Sequence, residues 1–152
     1  MLNEKIGIIG AGKIGSAIAR GVVGAGLAPK EKVIASDVSD ALRAAVAKEL
    51  GIKATADNVE LCEFAEIVIL AVKPQIVGPV AKEIAKKVGK SKLVVSVAAG
   101  VPIARIEACL TPGARVVRVM PNIACVVGAG AAGFAGGAHA TAADLEKVSA
   151  IL

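Results

Sequence analysis

The fold is decided by the stretch Lys5-Ile6-Gly7-Ile8-Ile9-Gly10-Ala11-Gly12-Lys13-Ile14-Gly15. A mostly apolar run of strand length leads into three glycines at GxGxxG spacing, and residues 14–26 follow as a predicted helix rich in small side chains. In this context Gly10 allows a tight turn, Gly12 lets the backbone approach a pyrophosphate, and Gly15 lets helix and strand pack closely. The stretch therefore predicts a dinucleotide-binding strand–loop–helix unit. The alternative is a glycine turn in an α/β protein that binds no nucleotide.

Apolar runs of strand length alternate with stretches of helical period along the rest of the chain. Repeated βαβ units of this kind build a mainly parallel sheet with helices on both faces. We therefore predict an α/β, Rossmann-like, doubly wound fold, and the length of 152 residues fits one dinucleotide-binding domain over residues 1–152. The predicted strands cover residues 5–9, 33–36, 52–54, 67–72, 93–97 and 115–120.

Helix boundaries are marked by capping residues and by glycine or proline. Beyond the first helix, the pattern predicts helices over residues 40–50, from 57, over 79–88, over 102–110 and from 141. The capping signals are Ser39 or Asp40 with a stop at Gly51, Asp57 paired with Glu60, and Thr141 paired with Asp144. The uncharged segment 119–143 is long enough to cross a membrane, but its proline and glycines favour a loop and a short strand, so we predict no membrane partner.

Composition excludes several classes of function. Hydrophobic residues make up 55% of the chain and aromatic residues 1%, which excludes a disordered tail and makes a base-stacking surface improbable. The net charge of +5 suits any anionic partner, yet Lys82, Lys86 and Lys87 have the spacing of a solvated helix face, so we predict no nucleic-acid partner.

The three cysteines, Cys62, Cys109 and Cys125, form no CxxC pair. This pattern argues against a disulfide framework or a zinc cluster, and we predict no metal site and a cytoplasmic location. The amino terminus lacks the order of basic, apolar and small residues that marks an export signal. His139, the single histidine, is interpreted as an exposed loop residue rather than a general acid. No side chain is a convincing proton donor, so the catalytic residues stay unassigned.

The choice between NADH and NADPH rests on the end of the second predicted strand. Asp37 follows Gly15 by 22 residues, close to the interval of about 20 at which an acidic residue accepts hydrogen bonds from the adenosine ribose. This favours NAD, but Ser36, Ser39 and Arg43 lie near enough in sequence to form a phosphate pocket if Asp37 turns away. Asp37 as a helix cap is a further alternative. The cofactor is therefore predicted as NADPH or NADH.

Three further motifs follow the glycine loop in fixed order: Ala71-Val72-Lys73-Pro74, Val97-Ala98-Ala99-Gly100-Val101 and Arg118-Val119-Met120-Pro121-Asn122. Together with the loop they resemble the pyrroline-5-carboxylate reductase family over the whole chain. In that family the amino-terminal domain is Rossmann-like and binds NAD(P)H, and the reaction reduces 1-pyrroline-5-carboxylate to L-proline. The resemblance implies that small-molecule substrate and that chemistry for this chain.

The glycine loop and the resemblance together give the expected site. The resemblance implies that residues 71–74 line the nicotinamide side and that residues 98–100 and 120–122 border the hydride-transfer crevice. It also implies that Ser36 and Asn58 touch the adenosine half. The full cofactor-binding set is Gly10, Gly12, Lys13, Ile14, Gly15, Ser36, Asp37, Asn58, Ala71, Val72, Lys73, Pro74, Ala98, Ala99 and Gly100, and the substrate-side set is Met120, Pro121 and Asn122. For Lys13, whose ammonium could screen phosphate charge, a purely solvated side chain is the alternative.

Family members continue into an all-helical domain that forms the dimer and carries the Ser/Thr-rich loop that grips the substrate carboxylate. This chain stops before that domain, so we expect it to supply the cofactor half, with a homo-oligomer for the full-length family member. Two alternatives stay open. One is a Rossmann reductase of the β-hydroxyacid or ketopantoate type that shares only the glycine loop, and the other is a non-catalytic nucleotide-binding module.

Overall fold

One seven-stranded sheet organises the computed structural model, which describes residues 1–121 and 132–152. Its strands are β1 (Ile6–Ile9), β2 (Val33–Ser36), β3 (Lys53–Thr55), β4 (Ile67–Leu70), β5 (Leu93–Ser96), β6 (Arg115–Pro121) and β7 (Ala132–Gly136). The spatial order is β3-β2-β1-β4-β5-β6-β7, with β1 to β6 parallel and β7 antiparallel to β6. The predicted mainly parallel, doubly wound sheet is confirmed.

Helices cover both faces of the sheet. They are α1 (Lys13–Gly24), α2 (Asp40–Leu50), α3 (Asn58–Phe64), α4 (Pro74–Val88), α5 (Ile103–Glu107) and α6 (Ala142–Ile151), with a short 3-10 helix at Lys30–Lys32. Apolar side chains of α3, α4 and α5 form one buried layer, and those of α1, α2 and α6 form the other. Every residue of β4 is buried, as expected for a central strand between two layers.

Most of the predicted capping signals are present. The Ser39 hydroxyl accepts a hydrogen bond from the Leu42 N–H, and Gly51 ends α2 with a φ of 67°. The predicted capping box at the start of α6 is confirmed. The predicted capping box of α3 is wrong in its second half: Asp57 caps the helix, but the Glu60 carboxylate binds Lys53 and Thr55 of β3 instead. A lysine ammonium is a stronger donor than the backbone N–H that the box requires.

Two predicted helix boundaries are corrected. Helix α4 begins at Pro74, five residues before the predicted start at residue 79. Pro74 occupies the first turn, where the missing N–H costs nothing, and a buried stripe of helical period runs past Pro79 and holds that residue inside the helix. Helix α5 covers only Ile103–Glu107 of the predicted 102–110, because the chain turns after it, with Leu110 N–H donating to the carbonyl of Glu107.

The uncharged segment 119–143 contains the end of β6, all of β7 and the start of α6, with residues 122–131 outside the described part. The predicted short strand is therefore confirmed as β7. Within residues 1–121 and 132–152, we find no helix that combines the length and the apolar character needed to cross a membrane.

Helix α6 is tied to the sheet by an ion pair whose carboxylate is buried and whose guanidinium is partly exposed. The Asp144 carboxylate is 1% exposed and accepts from Arg115 Nη1 at 2.5 Å, while Arg115 Nη2 donates to the carbonyl of Ser91 at 2.8 Å. The carboxylate also closes the capping box of α6. One side chain thus fixes both the start of the helix and its position beside β6.

Replacing Arg115 by Ala is expected to lower the free energy of unfolding by about 3 kcal/mol, because the Asp144 carboxylate would stay buried without its cation. Urea unfolding of the chain measures this difference. The matched control is Arg20→Ala, which removes the exposed Arg20–Glu49 pair and should have a much smaller effect. Equal losses in the two variants would contradict a structural role for the Arg115–Asp144 pair.

Candidate functional site

The glycine loop lies between β1 and α1 at the carboxyl ends of the parallel strands. Gly10 has a φ of 103°, and a Cβ atom at this position would lie 2.5 Å from the Ala71 carbonyl oxygen. A Cβ atom at Gly15 would lie 1.8 Å from the Gly10 carbonyl oxygen. Real Cβ atoms do not approach backbone oxygens so closely, so the steric roles predicted for Gly10 and Gly15 are confirmed.

Gly12 faces open space. A Cβ atom built on it meets no atom within 4 Å in the described part of the chain, and Gly12 is the N-cap of α1 without a side-chain cap. The Ser16 N–H donates to the Gly12 carbonyl at 2.9 Å, so the N–H groups before Ser16 have no acceptor from the helix itself. The described first turn of α1 carries no acidic side chain. This helix end can therefore receive an anion such as a pyrophosphate.

A cleft of about 420 Å³ opens beside this helix end. Its lining residues come from the carboxyl ends of β1, β4, β5 and β6, where open α/β sheets bind ligands. The lining residues are Gly12, Lys13, Ile14, Ala71, Val72, Lys73, Pro74, Val97, Ala98, Ala99 and Met120. Small apolar side chains dominate, and the two lysines are the charged members of the set. The cleft thus brings the helix end and the predicted nicotinamide side together.

Val97 was not among the predicted site residues, although it lines the cleft. It is the last residue of the predicted fifth strand, so its place at a carboxyl end was a usable signal. Gly10 and Gly15 are the buried glycines of the loop. They fix its shape through close backbone contacts and do not line the cleft. Gly100 is exposed, has a φ of 70° and is also absent from the lining.

The end of β2 contacts the glycine loop through Asp37. Its Oδ2 accepts from the Ala11 N–H at 2.9 Å, and its Oδ1 accepts from the Ser39 N–H at 2.9 Å. The predicted alternative role of Asp37 as the cap of α2 is wrong, because Ser39 is the N-cap. Arg43 of α2 lies on the same rim, where Nη1 donates to the Asp37 carbonyl at 2.8 Å and Nη2 pairs with Asp40.

A chain of hydrogen bonds links Ser36, Asn58 and Glu83. Ser36 is fully buried, and its hydroxyl donates to Asn58 Oδ1 at 2.7 Å. Asn58 Nδ2 donates to Glu83 Oε2 of α4 at 3.1 Å. The contact of Ser36 and Asn58 with the adenosine half of a cofactor stays a prediction, and Asn58 is the member of the pair that is not fully buried. Glu83, for which the sequence predicted no role, orients the Asn58 amide.

Several other predicted residues have a defined position. Met120 is 52% exposed at the mouth of the cleft, Pro121 is the last residue of β6, and Asn122 lies outside the described residues. His139 is exposed in the turn before α6, as predicted. Among residues 1–121 and 132–152, no cluster of three metal-ligating side chains occurs.

Cys62 belongs to the core and not to the site. It is fully buried under the sheet, and this burial raises the pKa of its thiol to about 12. Cys109 is partly buried, and Cys125 lies outside the described residues. The prediction that the cysteines are small core hydrophobes is confirmed for Cys62.

The sheet order and the cleft at the carboxyl ends of its strands define a Rossmann-like α/β fold. The chain belongs to the family described as NADP oxidoreductase, coenzyme F420-dependent, whose model matches residues 5–100. It is 45% identical over 96% of its length to a pyrroline-5-carboxylate reductase of Methanosarcina acetivorans, of which the match covers 54%. The chain thus spans about half the length of the curated relatives it matches.

Two solved structures agree with this relationship. A pyrroline-5-carboxylate reductase from Coxiella burnetii superposes with a TM-score of 0.94 at 28% identity, covering 99% of this chain and 56% of the other. The Plasmodium falciparum pyrroline carboxylate reductase, solved with NADP bound, gives a TM-score of 0.87 at 31% identity, covering 99% and 55%. The predicted resemblance to the amino-terminal domain of this enzyme family is confirmed.

Replacing Gly15 by Ala is expected to lower the free energy of unfolding by more than about 2 kcal/mol, because the added methyl group would overlap the Gly10 carbonyl. Urea unfolding measures the loss. Gly21→Ala is the control, since a Cβ at Gly21 meets nothing within 4 Å and alanine favours a helix. A Gly15→Ala protein as stable as Gly21→Ala would contradict the close packing of loop and helix.

Cys62 is expected to resist alkylation by iodoacetamide at pH 8 in the folded chain, because its thiol is buried and stays protonated far below a pKa of about 12. Peptide mass spectrometry follows each cysteine separately, and the urea-unfolded chain is the control in which Cys62 should react. Labelling of Cys62 at the same rate in both states would show that it is accessible.

Proposed function

We propose that this chain binds NADPH or NADH at its glycine loop and supplies the cofactor half of a pyrroline-5-carboxylate reductase, which reduces 1-pyrroline-5-carboxylate to L-proline. The observation that carries the proposal is the uncapped N-terminus of α1, which opens at Gly12 onto a cleft lined by the motif residues. The family match and the NADP in the Plasmodium relative support the choice of cofactor.

The residues of the loop fit a dinucleotide. Gly12 leaves room where a side chain would stand, and the N–H groups of Lys13 and Ile14 would hold the pyrophosphate against the positive end of α1. Lys13 is one of the residues that line the cleft, and its ammonium would screen the phosphate charge. Both oxidised and reduced cofactors share the pyrophosphate, so this contact serves either direction of the reaction.

The nicotinamide would pack against an apolar surface that keeps water from its reactive face. This surface is formed by Ala71, Val72, Ala98 and Ala99. When bound, the reduced nicotinamide supplies a hydride for the imine carbon, and the imine nitrogen takes a proton. The role of this chain is to orient the cofactor at the cleft, with Met120 at the substrate side.

The remaining parts of the proposal concern the whole protein. Residues 1–152 are proposed as one dinucleotide-binding domain, supported by a single sheet with both faces covered. The substrate carboxylate is proposed to bind in the all-helical domain of the family, and the match to about half of each relative's length is consistent with that division. A homo-oligomer, a cytoplasmic location, and the lack of nucleic-acid and membrane partners stay predictions.

Titrating NADPH and NADH into the chain, followed by reduced-nicotinamide fluorescence, tests cofactor binding. The chain has no Trp and no Tyr, so the signal is free of protein background. We expect saturable binding of at least one nucleotide, and its loss in Gly12→Val with the fold intact by circular dichroism. Gly21→Ala on the same helix should bind normally. Unchanged affinity in Gly12→Val would show that the loop does not hold the pyrophosphate.

Substrate identity is tested separately by following NADPH oxidation with the natural protein that contains residues 1–152. Turnover with 1-pyrroline-5-carboxylate supports the proposal. Turnover with ketopantoate or a β-keto acid instead would favour another Rossmann reductase, and saturable nucleotide binding without turnover on any of these would favour a binding module.

A further inference from the structure

Asp37 is bound on both of its carboxylate oxygens by backbone N–H groups. Oδ2 accepts from Ala11 in the glycine loop, and Oδ1 accepts from Ser39 in the turn before α2, both at 2.9 Å. Hydrogen bonds from an N–H to an ionised carboxylate are stronger than those between neutral groups. Asp37 therefore joins the glycine loop to the turn that follows β2.

Ala11 is also held through its carbonyl group, and the residue before it is held through its N–H. The Ala11 carbonyl accepts from the Ser16 hydroxyl at 2.9 Å, and the preceding Gly10 N–H donates to the Ser36 carbonyl at 2.8 Å. Ala11 is 3% exposed. Of these three bonds, the one from Asp37 is the only one that involves a charged group. It fixes the Gly10–Ala11 peptide, one residue before Gly12, where the pyrophosphate is proposed to bind.

The usual role of an acidic residue at this position is to accept hydrogen bonds from the adenosine ribose. In that role Asp37 would favour NADH and oppose NADPH, because a carboxylate repels a 2′-phosphate. Charge alone makes the same prediction, since removal of a negative side chain should improve the binding of a more anionic ligand. If Asp37 instead anchors the glycine loop, removal of its side chain should weaken the binding of NADPH.

We propose that Asp37 is a positioning residue that holds the glycine loop for the pyrophosphate, and that it thereby supports the binding of NADPH as well as NADH. The inference rests on the proposed function, because it concerns the same cofactor site. This role requires no contact between Asp37 and the 2′-position of the cofactor ribose. The Asp37 carboxylate binds Ala11 instead, on the side of the loop where the pyrophosphate is proposed to bind.

Three variants of the chain test the proposal. Asp37→Ala removes both acceptors, and Asp37→Asn keeps one oxygen that can accept from Ala11. Asp40→Asn is the matched control, because it removes the same charge from the same rim, while the Asp40 side chain binds Arg43 and makes no contact with the loop. Dissociation constants for NADPH and NADH come from the fluorescence titration. Amide hydrogen exchange of Ala11 in the nucleotide-free chain, observed by NMR, reports the anchor directly.

We expect Asp37→Ala to bind both nucleotides roughly tenfold more weakly, as the loss of one charge-assisted hydrogen bond implies. Asp37→Asn should lose less, and Asp40→Asn should not weaken either nucleotide. The Ala11 amide should exchange faster in Asp37→Ala, while amides in the core of β4 stay protected. Partial rescue by Asn, together with loss of NADPH affinity, separates anchoring from ribose binding.

Stronger NADPH binding with weaker NADH binding in Asp37→Ala would overturn the proposal in favour of the ribose role. Unchanged exchange of the Ala11 amide would also overturn it. If the unsubstituted chain binds neither nucleotide, the proposed function fails, and Ala11 exchange still decides whether Asp37 anchors the loop. General unfolding is recognised separately, because it would expose the amides of β4 as well.

Discussion

The geometry of the site depends on a steric constraint. Three backbone segments, namely the turn at Gly10, the residue after β4 and the start of α1, approach one another too closely for a side chain at Gly10 or Gly15. The turn at Gly10 lies against Ala71 at the end of β4, and α1 lies against the Gly10 carbonyl at Gly15. These contacts place the first turn of α1 directly beside the carboxyl ends of β1 and β4. The open helix end and the apolar cleft are adjacent for this reason, and a dinucleotide can span both.

The two buried layers keep this arrangement rigid. Central strands that are buried on both faces cannot shift without exposing apolar side chains. The strand ends that line the cleft are therefore fixed by the packing of the two layers against the sheet. Polar contacts then fix the loops above the sheet, with Asp37 bound to Ala11 and Asn58 bound to Ser36. The site therefore combines a rigid base with loops that are positioned by hydrogen bonds.

Much of this could be predicted from the sequence, because periodicity and glycine spacing are local signals. The cleft residues at 71–74, 98, 99 and 120 were implied by the family resemblance. The mainly parallel sheet, the capping of α2 and α6, and the glycine-loop part of the cleft lining followed from the local signals. The start of α4 did not, since the burial that carries the helix through Pro79 depends on tertiary packing. The side-chain partners of Asp37, Glu60 and Glu83 are also set by neighbours distant in sequence.

The central claim is that the backbone at the start of α1 binds the pyrophosphate of the cofactor. The most direct measurement is an NADPH titration of the ¹⁵N-labelled chain, followed by the amide shifts in NMR spectra. The account predicts that the largest changes fall on Gly12, Lys13 and Ile14, with smaller ones along the cleft at residues 71–74 and 97–99. Saturable binding with the largest changes on the lysine face of α4, and none at the glycine loop, would contradict it.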